Sequence, residues 1–236
     1  MKILACETSG APASAAVIED GKILAASYQN MGFTHSRTLL PMIDVMLKNA
    51  GLKIQDMDVF ACAAGPGSFT GLRIGVSTVK GLAFAQDKPC AAVSTLEGMA
   101  WNLLFSDDII CAVMDARANN VYNALFRAEK GSAARLCPDR ALSIDELGRE
   151  LSQTHKKYIL VGDGAALCYN ILSEKGLDLT LAPENLRFQN AYGIARAADV
   201  MALSGALKSP GEISVSYLRL CQAERERMKK LGELKK

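Results

Sequence analysis

The sequence predicts an α/β protein made of two copies of one folding unit, each a mixed five-stranded sheet with flanking helices. Two observations support this class. Short apolar runs suited to strands alternate with longer amphipathic segments suited to helices. The order of these segments in residues 1–105 recurs in residues 106–220 as three antiparallel strands, a helix, a strand, a helix and a strand. We therefore expect two domains with these limits, followed by a charged helical tail at 221–236.

In the first copy, turn and helix-end signals separate the predicted elements. Asp20-Gly21 is a strong signal for a two-residue hairpin turn, and Gly51 marks the end of an amphipathic helix. Pro41 must lie in or near the first turn of that helix, or else the helix bends there. The predicted elements are strands at 2–7, 14–19 and 22–29, a helix at 37–50, a strand at 58–64, a helix at 68–86, a strand at 90–93 and a helix from about residue 95.

The second copy repeats this order with shorter segments. Ser143, followed three residues later by Glu146, predicts a capping box at a helix start. The predicted elements are strands at 109–115, 121–127 and 133–137, a helix at 143–153, a strand at 158–161, a helix at 165–175, a strand at 178–181 and a helix at 191–204. This order, found twice, is that of the ribonuclease-H-like unit of the actin-like (ASKHA) proteins.

The chain carries little net charge, because 27 Lys and Arg residues stand against 25 Asp and Glu residues. A large nucleic-acid footprint normally needs a basic excess, so extensive direct RNA binding is not expected. No apolar run approaches the roughly 20 residues of a membrane span. The first residues are typical of a strand and not of a signal peptide. We expect a cytoplasmic protein without membrane contact.

Cysteine and histidine usage bounds the chemistry. Seven cysteines, an odd number at scattered positions, do not suggest a disulfide framework. Cys6, Cys62, Cys90 and Cys111 lie in apolar runs and are expected to be small buried hydrophobic residues. No Cys-x-x-Cys pair is present, and the two histidines fall in different predicted domains. We therefore predict no metal site.

The most informative segment is Gly65-Pro-Gly-Ser-Phe-Thr-Gly-Leu-Arg-Ile-Gly75, which follows a predicted strand. Ser68 can cap the helix that begins there, and Phe69 and Arg73 are expected to face outward. Three interpretations stay open: an anion site at the helix N-terminus, a docking surface in which small residues admit another helix, and a tight turn without further role. The spacing matches neither a P-loop nor Gly-x-Gly-x-x-Gly.

Actin-like proteins usually bind ATP between their two units, so the turns that would meet a nucleotide matter. The first, Glu7-Thr8-Ser9-Gly10, has hydroxyls and a glycine that suit a phosphate. The second, residues 115–120, has no glycine, which hinders the approach of backbone N–H groups. Asp115 could hold magnesium through water or pair with Arg117, and Gly162 could border an adenosine. A stand-alone ATP-dependent kinase or ATPase is disfavoured but stays open.

Several motifs resemble the TsaB family. They are Glu7-Thr8-Ser9, His35-Ser-Arg-Thr-Leu-Leu-Pro41, the glycine-rich run 65–75, Asp115-Ala-Arg117 and the C-terminal Tyr217-Leu218-Arg219. The resemblance implies a non-catalytic subunit that works with TsaD and TsaE in making threonylcarbamoyladenosine on tRNA, at the adenosine next to the anticodon. It implies no cofactor of the chain's own, with ATP or ADP only at the assembled interface and tRNA contacted indirectly. A peptidase, a label that the family has carried, stays open as an alternative.

The resemblance also implies how the subunit works. TsaD carries a metal-binding His-x-x-x-His motif, and here Leu39 stands at its second histidine. The expected docking surface is the pair of helices at 37–50 and 68–86, used for a homodimer in isolation and for pairing with TsaD. Gly71→Glu is expected to cost several kcal/mol of association, because it buries an unpaired charge, while the monomer stays folded. The predicted interface residues are His35, Leu39, Leu40, Ile43, Gly67, Phe69, Thr70, Gly71, Leu72, Arg73, Gly75, Val76 and Val79, with Ala83 as a further small residue of the contact.

Overall fold

The first half of the chain forms a five-stranded mixed sheet, as predicted. The computed structural model describes residues 1–32, 34–154 and 156–219. The strands of this sheet are β1 (Lys2–Glu7), β2 (Ala13–Glu19), β3 (Lys22–Gln29), β4 (Val59–Gly65) and β5 (Cys90–Ser94). Its helices are α1 (His35–Asn49), α2 (Phe69–Gln86) and α3 (Thr95–Ala100). The strand order is β3-β2-β1-β4-β5, with β1 antiparallel to β2 and parallel to β4.

The second half repeats this topology. Its strands are β6 (Ile109–Asp115), β7 (Asn120–Glu129), β8 (Ser132–Arg135), β9 (Arg140–Ser143), β10 (Tyr158–Val161) and β11 (Leu179–Leu181). Its helices are α4 (Ile144–Ser152), α5 (Ala165–Ser173), α6 (Glu184–Arg187) and α7 (Ala191–Leu203). The order β8-β7-β6-β10-β11 matches that of the first sheet, so the predicted duplication is confirmed.

The second sheet has a sixth strand where the sequence predicts five. The ten-residue strand β7 pairs with β8 only through residues 126–129. Residues 120–123 are thereby left for the short strand β9. Strand β9, Arg140–Ser143, is not predicted, because it carries two polar residues at its ends and no apolar run of its own.

Helix ends follow the predicted capping chemistry, with one exception. Ser68 accepts a hydrogen bond from the Gly71 amide at 3.2 Å, and Ser143 forms the expected capping box with Glu146. Helix α1 begins at His35, so Pro41 lies beyond its first turn and not in or near it. Proline has no amide hydrogen, so it cannot donate to the carbonyl group four residues earlier.

Three apolar layers hold the two sheets. Helices α1 and α2 cover the outer face of the first sheet, and α4 and α5 cover the outer face of the second. The third layer lies between the sheets and includes α3 and α7. Helix α7, from the second half, contacts β1 and β2, while α3, from the first half, contacts β6. The exchanged helices give the two halves one shared core; the domain limits proposed from the sequence stay predictions, and the tail at 221–236 lies outside the described residues.

The cysteines predicted to be buried are all in the core. Cys6, Cys62, Cys90 and Cys111 are each fully buried and unpaired. Burial raises the pKa of the Cys6 thiol to about 12, so it is an unreactive packing residue. Across the part of the chain that the structure describes, none of the helices combines the length and apolar character needed to cross a membrane.

Candidate functional site

The glycine-rich turn brings the start of α2 against the chain's own first turn. Strand β4 ends at Gly65, whose φ of +126° favours glycine. A Cβ atom on Gly71 would collide with the carbonyl oxygen of Thr8, and one on Gly75 would press on the Thr8 hydroxyl. These two glycines therefore serve packing within the monomer.

Most of the apolar residues predicted for the partner interface lie in the chain's own core. Leu72 and Val79 are fully buried, as is Ala83, while Leu39, Ile43 and Val76 are buried to within a few per cent. Each helix turns its apolar stripe to its own sheet, which is the ordinary outcome for an amphipathic helix on a sheet. We therefore assign these side chains to the core instead of to a partner interface. The expectation that Gly71→Glu leaves the monomer folded is also corrected, because any Cβ atom at this position would collide with the carbonyl oxygen of Thr8.

A different set of residues on α1 and α2 faces outward. Phe84 is 81% exposed, Val45 55% and Leu40 51%. Gly81 is exposed too, and a Cβ atom there would meet nothing within 4 Å. We call the following set the outer face: Leu40, Val45, Thr70, Ser77, Gly81 and Phe84. Only Leu40 and Thr70 were predicted; the others lie on the helix sides opposite the buried stripes, a signal that the helical period offers.

Phe69 and Arg73, predicted to face outward for a partner, contact the chain's own C-terminal segment. The Phe69 ring stacks on Tyr217, with ring centroids 4.4 Å apart and planes 9° from parallel. The Nε–H of Arg73 donates to the Tyr217 hydroxyl at 2.8 Å. We call residues 211–219 the C-terminal strap.

The strap is fixed at several further points. The amide of Ser216 donates to the carbonyl of Ala64 at 2.7 Å, and Lys80 Nζ donates to the carbonyl of Ile213 at 3.1 Å. Ile213 itself is buried in the layer beneath α1 and α2. At the far end, Arg219 donates to the carbonyl of Ala116 in the second half at 2.9 Å. The strap therefore bridges both halves.

The turn at residues 7–10, the first of the two that would meet a nucleotide in the cleft between the units, is closed by the protein itself. Glu7, Thr8 and Ser9 are almost fully buried. The Thr8 hydroxyl donates to the carbonyl of Gly71 at 2.8 Å, and the Ser9 amide donates to Glu7 Oε1 at 2.5 Å. Burial raises the pKa of the Glu7 carboxyl to about 7.

The Gly10 end of this turn is also covered. The Gln189 side chain is so close to Gly10 that a Cβ atom there would lie 2.8 Å from its Cδ. His35, predicted for the partner interface, places Nε2 3.0 Å from the Gly10 carbonyl. A phosphate could approach this turn from that side only after Gln189 moved.

The second turn of the cleft is polar and strained. Asp115 pairs with Arg117 at 3.3 Å, the alternative to a magnesium site that the sequence left open, and also accepts from the Arg117 amide at 2.7 Å. Arg117, Ala118 and Asn119 have φ values of 67°, 51° and 56°, three successive non-glycine residues in the left-handed region. Gly162 was predicted to border a nucleotide; a Cβ atom there would collide with the carbonyl of Val113. In residues 1–32, 34–154 and 156–219, no three His, Cys, Asp or Glu side chains are grouped to hold a metal ion.

Duplicated actin-like units around a shared core, with a cleft whose first turn is filled by the protein's own side chains, define a two-unit protein of the actin-like class. A family model described as TsaD, tRNA N6-adenosine threonylcarbamoyltransferase, matches residues 29–222. The tRNA threonylcarbamoyladenosine biosynthesis protein TsaB of Haemophilus influenzae is 32% identical, over 79% of this chain and 80% of that protein. By the TsaD family model and this relative, the chain belongs to the TsaB family, within the wider TsaD family.

Two further comparisons cover nearly the whole chain. The TsaB protein of Bacillus subtilis is 28% identical over 95% of this chain and 96% of its own length. A solved structure from Pseudomonas aeruginosa, described as an uncharacterized protein with similarity to peptidase YEAZ, is 26% identical with a TM-score of 0.81. It covers 92% of this chain, and the match takes in 99% of that structure. The family resemblance inferred from the sequence motifs is thus confirmed.

Proposed function

We propose that this chain is a non-catalytic subunit that enables a TsaD-type transferase, together with a TsaE-type protein, to make threonylcarbamoyladenosine on tRNA. The relatives named TsaB support the pathway. The observation that carries the docking role is the outer face, because it exposes the ring of Phe84 one helical turn from Gly81, a glycine that the monomer does not need. The occupant we propose is the helix pair of the transferase, with a second copy of this chain competing for the same face in isolation.

Gly81 supports a helical partner. Glycine inside an exposed helix costs about 1 kcal/mol relative to alanine. The monomer gives no packing reason for it, since the space around its Cα is open. Ser77 and Ala85 lie one turn to either side on the same exposed side of α2. Together the three small residues let another helix approach closely, and the exposed ring of Phe84 supplies an apolar anchor beside them.

The remaining parts of the proposal follow from the cleft and the charge. The buried turn at Glu7 to Ser9 leaves the chain without an accessible acid or nucleophile there. ATP or ADP would bind at the interface formed with the two partners, not to this chain alone. The near balance of basic and acidic residues supports only indirect contact with tRNA. We place this activity in the cytoplasm.

The competing function is a stand-alone ATPase, kinase or peptidase. Gln189 against Gly10 speaks against the nucleotide enzymes, because it occupies the approach to the first turn. Calorimetry of the isolated chain with ATP and magnesium should show weak binding or none. Micromolar binding with turnover would replace the subunit proposal by an enzyme.

Reconstitution tests the proposal directly. The transferase, the TsaE-type protein, ATP, an activated threonylcarbamoyl donor and unmodified tRNA would be combined with and without this chain, and the modified nucleoside measured by mass spectrometry. We expect product only when the chain is present. Equal product in its absence would overturn the proposal.

A further inference from the structure

The C-terminal strap joins two features that the proposed function treats separately. Near the C-terminal end of the strap, Tyr217 stacks on Phe69 and accepts a hydrogen bond from Arg73, which lie on the first turns of α2 on either side of Thr70 of the outer face. Two residues later, Arg219 donates to the carbonyl of Ala116. The strap therefore links the start of α2 to the β6–β7 turn of the second half.

The turn held by Arg219 is under conformational strain. Its three left-handed residues, 117–119, are unfavourable for side chains with a Cβ atom. Such a geometry persists only where neighbouring contacts determine it, and it concentrates at functional sites. The contacts here are the Asp115 carboxylate, the amide of Ile144 on Asn119, the Asn120 side chain and Arg219. Arg219 alone of these contacts comes from the segment that also touches α2.

We propose that Tyr217 and Arg219 are positioning residues for partner docking: the closed strap fixes the first turns of α2 relative to the β6–β7 turn, and the transferase binds that arrangement. The inference rests on the proposed function. Neither residue is required to contact the partner, and neither acts on tRNA. The strap stays closed in the complex.

The geometry favours a closed strap over one displaced by docking. Ser216 lies directly over Gly65, where a Cβ atom would collide with the Ser216 carbonyl. Val215 packs against both the central layer and the layer beneath α1 and α2. Releasing the strap would uncover Ile213, which is 1% exposed, as well as the outer ring face of Phe69. A partner that displaced it would first have to expose this apolar surface.

Four variants test the positioning role by titration calorimetry against the TsaD-type transferase. Tyr217→Ala removes the stack and the hydroxyl, and we expect at least 10-fold weaker binding. Tyr217→Phe keeps the stack, and we expect 2- to 3-fold weaker binding. For Arg219→Ala we expect 3- to 10-fold weaker binding. Phe105→Ala is the control, since Phe105 is 67% exposed and belongs neither to the strap nor to α2, and its affinity should change less than 2-fold.

Hydrogen exchange separates positioning from a general loss of stability. In free Tyr217→Ala, exchange should rise at residues 65–73 while the second half of α2 stays at the wild-type rate. In the wild-type complex, residues 211–219 should exchange more slowly than in the free chain. If Tyr217→Ala does not fold, the same affinity and hydrogen-exchange measurements are made on Tyr217→Phe and Arg219→Lys.

The outcomes are distinct. Faster exchange of the strap in the complex, or wild-type affinity for both Tyr217→Ala and Arg219→Ala, overturns the positioning role and leaves the docking proposal intact. A wild-type chain that does not bind the transferase at all overturns the proposed function, and the positioning role with it.

Discussion

The two copies of the folding unit share one backbone requirement and differ in what they expose. In both, a glycine that follows β4 or β10 lies close to the end of β1 or β6: a Cβ atom on Gly71 would meet the Thr8 carbonyl, and one on Gly164 would meet the backbone of Met114 and Asp115. The flanking helices differ in length. Helices α1 and α2 have 15 and 18 residues, whereas α4 and α5 have 9 each. The glycine contacts are therefore a requirement of the fold in both copies. The first copy differs in its longer outer helices, which carry the proposed docking surface.

The largest expected effect breaks the shared requirement. Gly71→Ala places a Cβ atom on the Thr8 carbonyl, which is backbone and cannot rotate away. We expect the free energy of unfolding to fall by about 3 kcal/mol or more. Urea unfolding followed by circular dichroism measures this. Gly81→Ala, in the same helix but in open space, should instead raise stability by roughly 0.5–1 kcal/mol; equal and small effects at both positions would contradict the distinction between fold and docking glycines.

The next effect separates the copies by function. Gly81→Leu places a large side chain on the outer face without disturbing the monomer, so we expect transferase binding to weaken roughly 100-fold, or about 2.7 kcal/mol. Binding is measured by calorimetry on a variant whose melting temperature is unchanged. The matched control is Asn170→Leu on the exposed side of α5, the corresponding helix of the second copy. Loss of binding in the control as well would place the contact elsewhere.

These two glycines also show how far the sequence could take the prediction. Element order, the duplication, the Ser68 and Ser143 caps and the buried cysteines follow from local patterns, and the structure confirms them. Which glycine serves the fold and which stays in open space depends on long-range approach: Thr8 and Gly71 are 63 residues apart in the chain. The sequence predicts that the apolar stripe of α2 meets a partner, whereas the chain's own sheet covers it. Periodicity shows that a helix has an apolar side, but it cannot show which surface covers that side.

The partners of Phe69 and Arg73 show the same limit. Tyr217 lies 144 residues from Arg73 along the chain, so no local pattern connects them. The family motif at 217–219 was visible in the sequence, but its contact with the helix start was not. The contact of Gln189 with Gly10 could not be predicted either, because it depends on α7, which brings the second half of the chain back to the first sheet.

The acidic residues that end the first strand of each copy differ in burial. Glu7 ends β1 and is buried, with its pKa raised to about 7 by that burial and, to a smaller extent, by the charge of Asp163. Asp115 ends β6 and pairs with Arg117. Since the folded pKa of Glu7 lies above the unfolded value of about 4.5, the fold binds a proton that the unfolded chain releases, and wild-type stability falls as pH rises from about 4.5 to 7.

Glu7→Gln removes this loss while keeping a carbonyl oxygen that can accept from the Ser9 amide. Relative to wild type, the variant should gain on the order of 2 kcal/mol between pH 5 and pH 8. Urea unfolding at both pH values measures the difference. Asp115→Asn is the control, and the same pH-dependent gain there, or none in Glu7→Gln, would refute the assignment to Glu7.

The smallest effect concerns the turns at which those strands end. The first turn contains Gly10, whereas the second holds Ala118 at a φ of 51°. A left-handed alanine is unfavourable because its Cβ crowds the following carbonyl, and glycine relieves this, so Ala118→Gly should stabilise the chain by about 1 kcal/mol. Ala166→Gly, at an exposed position inside α5, should destabilise by about 1 kcal/mol, because there glycine only adds freedom to the unfolded chain. Thermal unfolding of the two variants should therefore shift in opposite directions. A shared downward shift would mean that the second turn is not strained, and would leave Arg219 with an ordinary hydrogen bond instead of a hold on a strained segment.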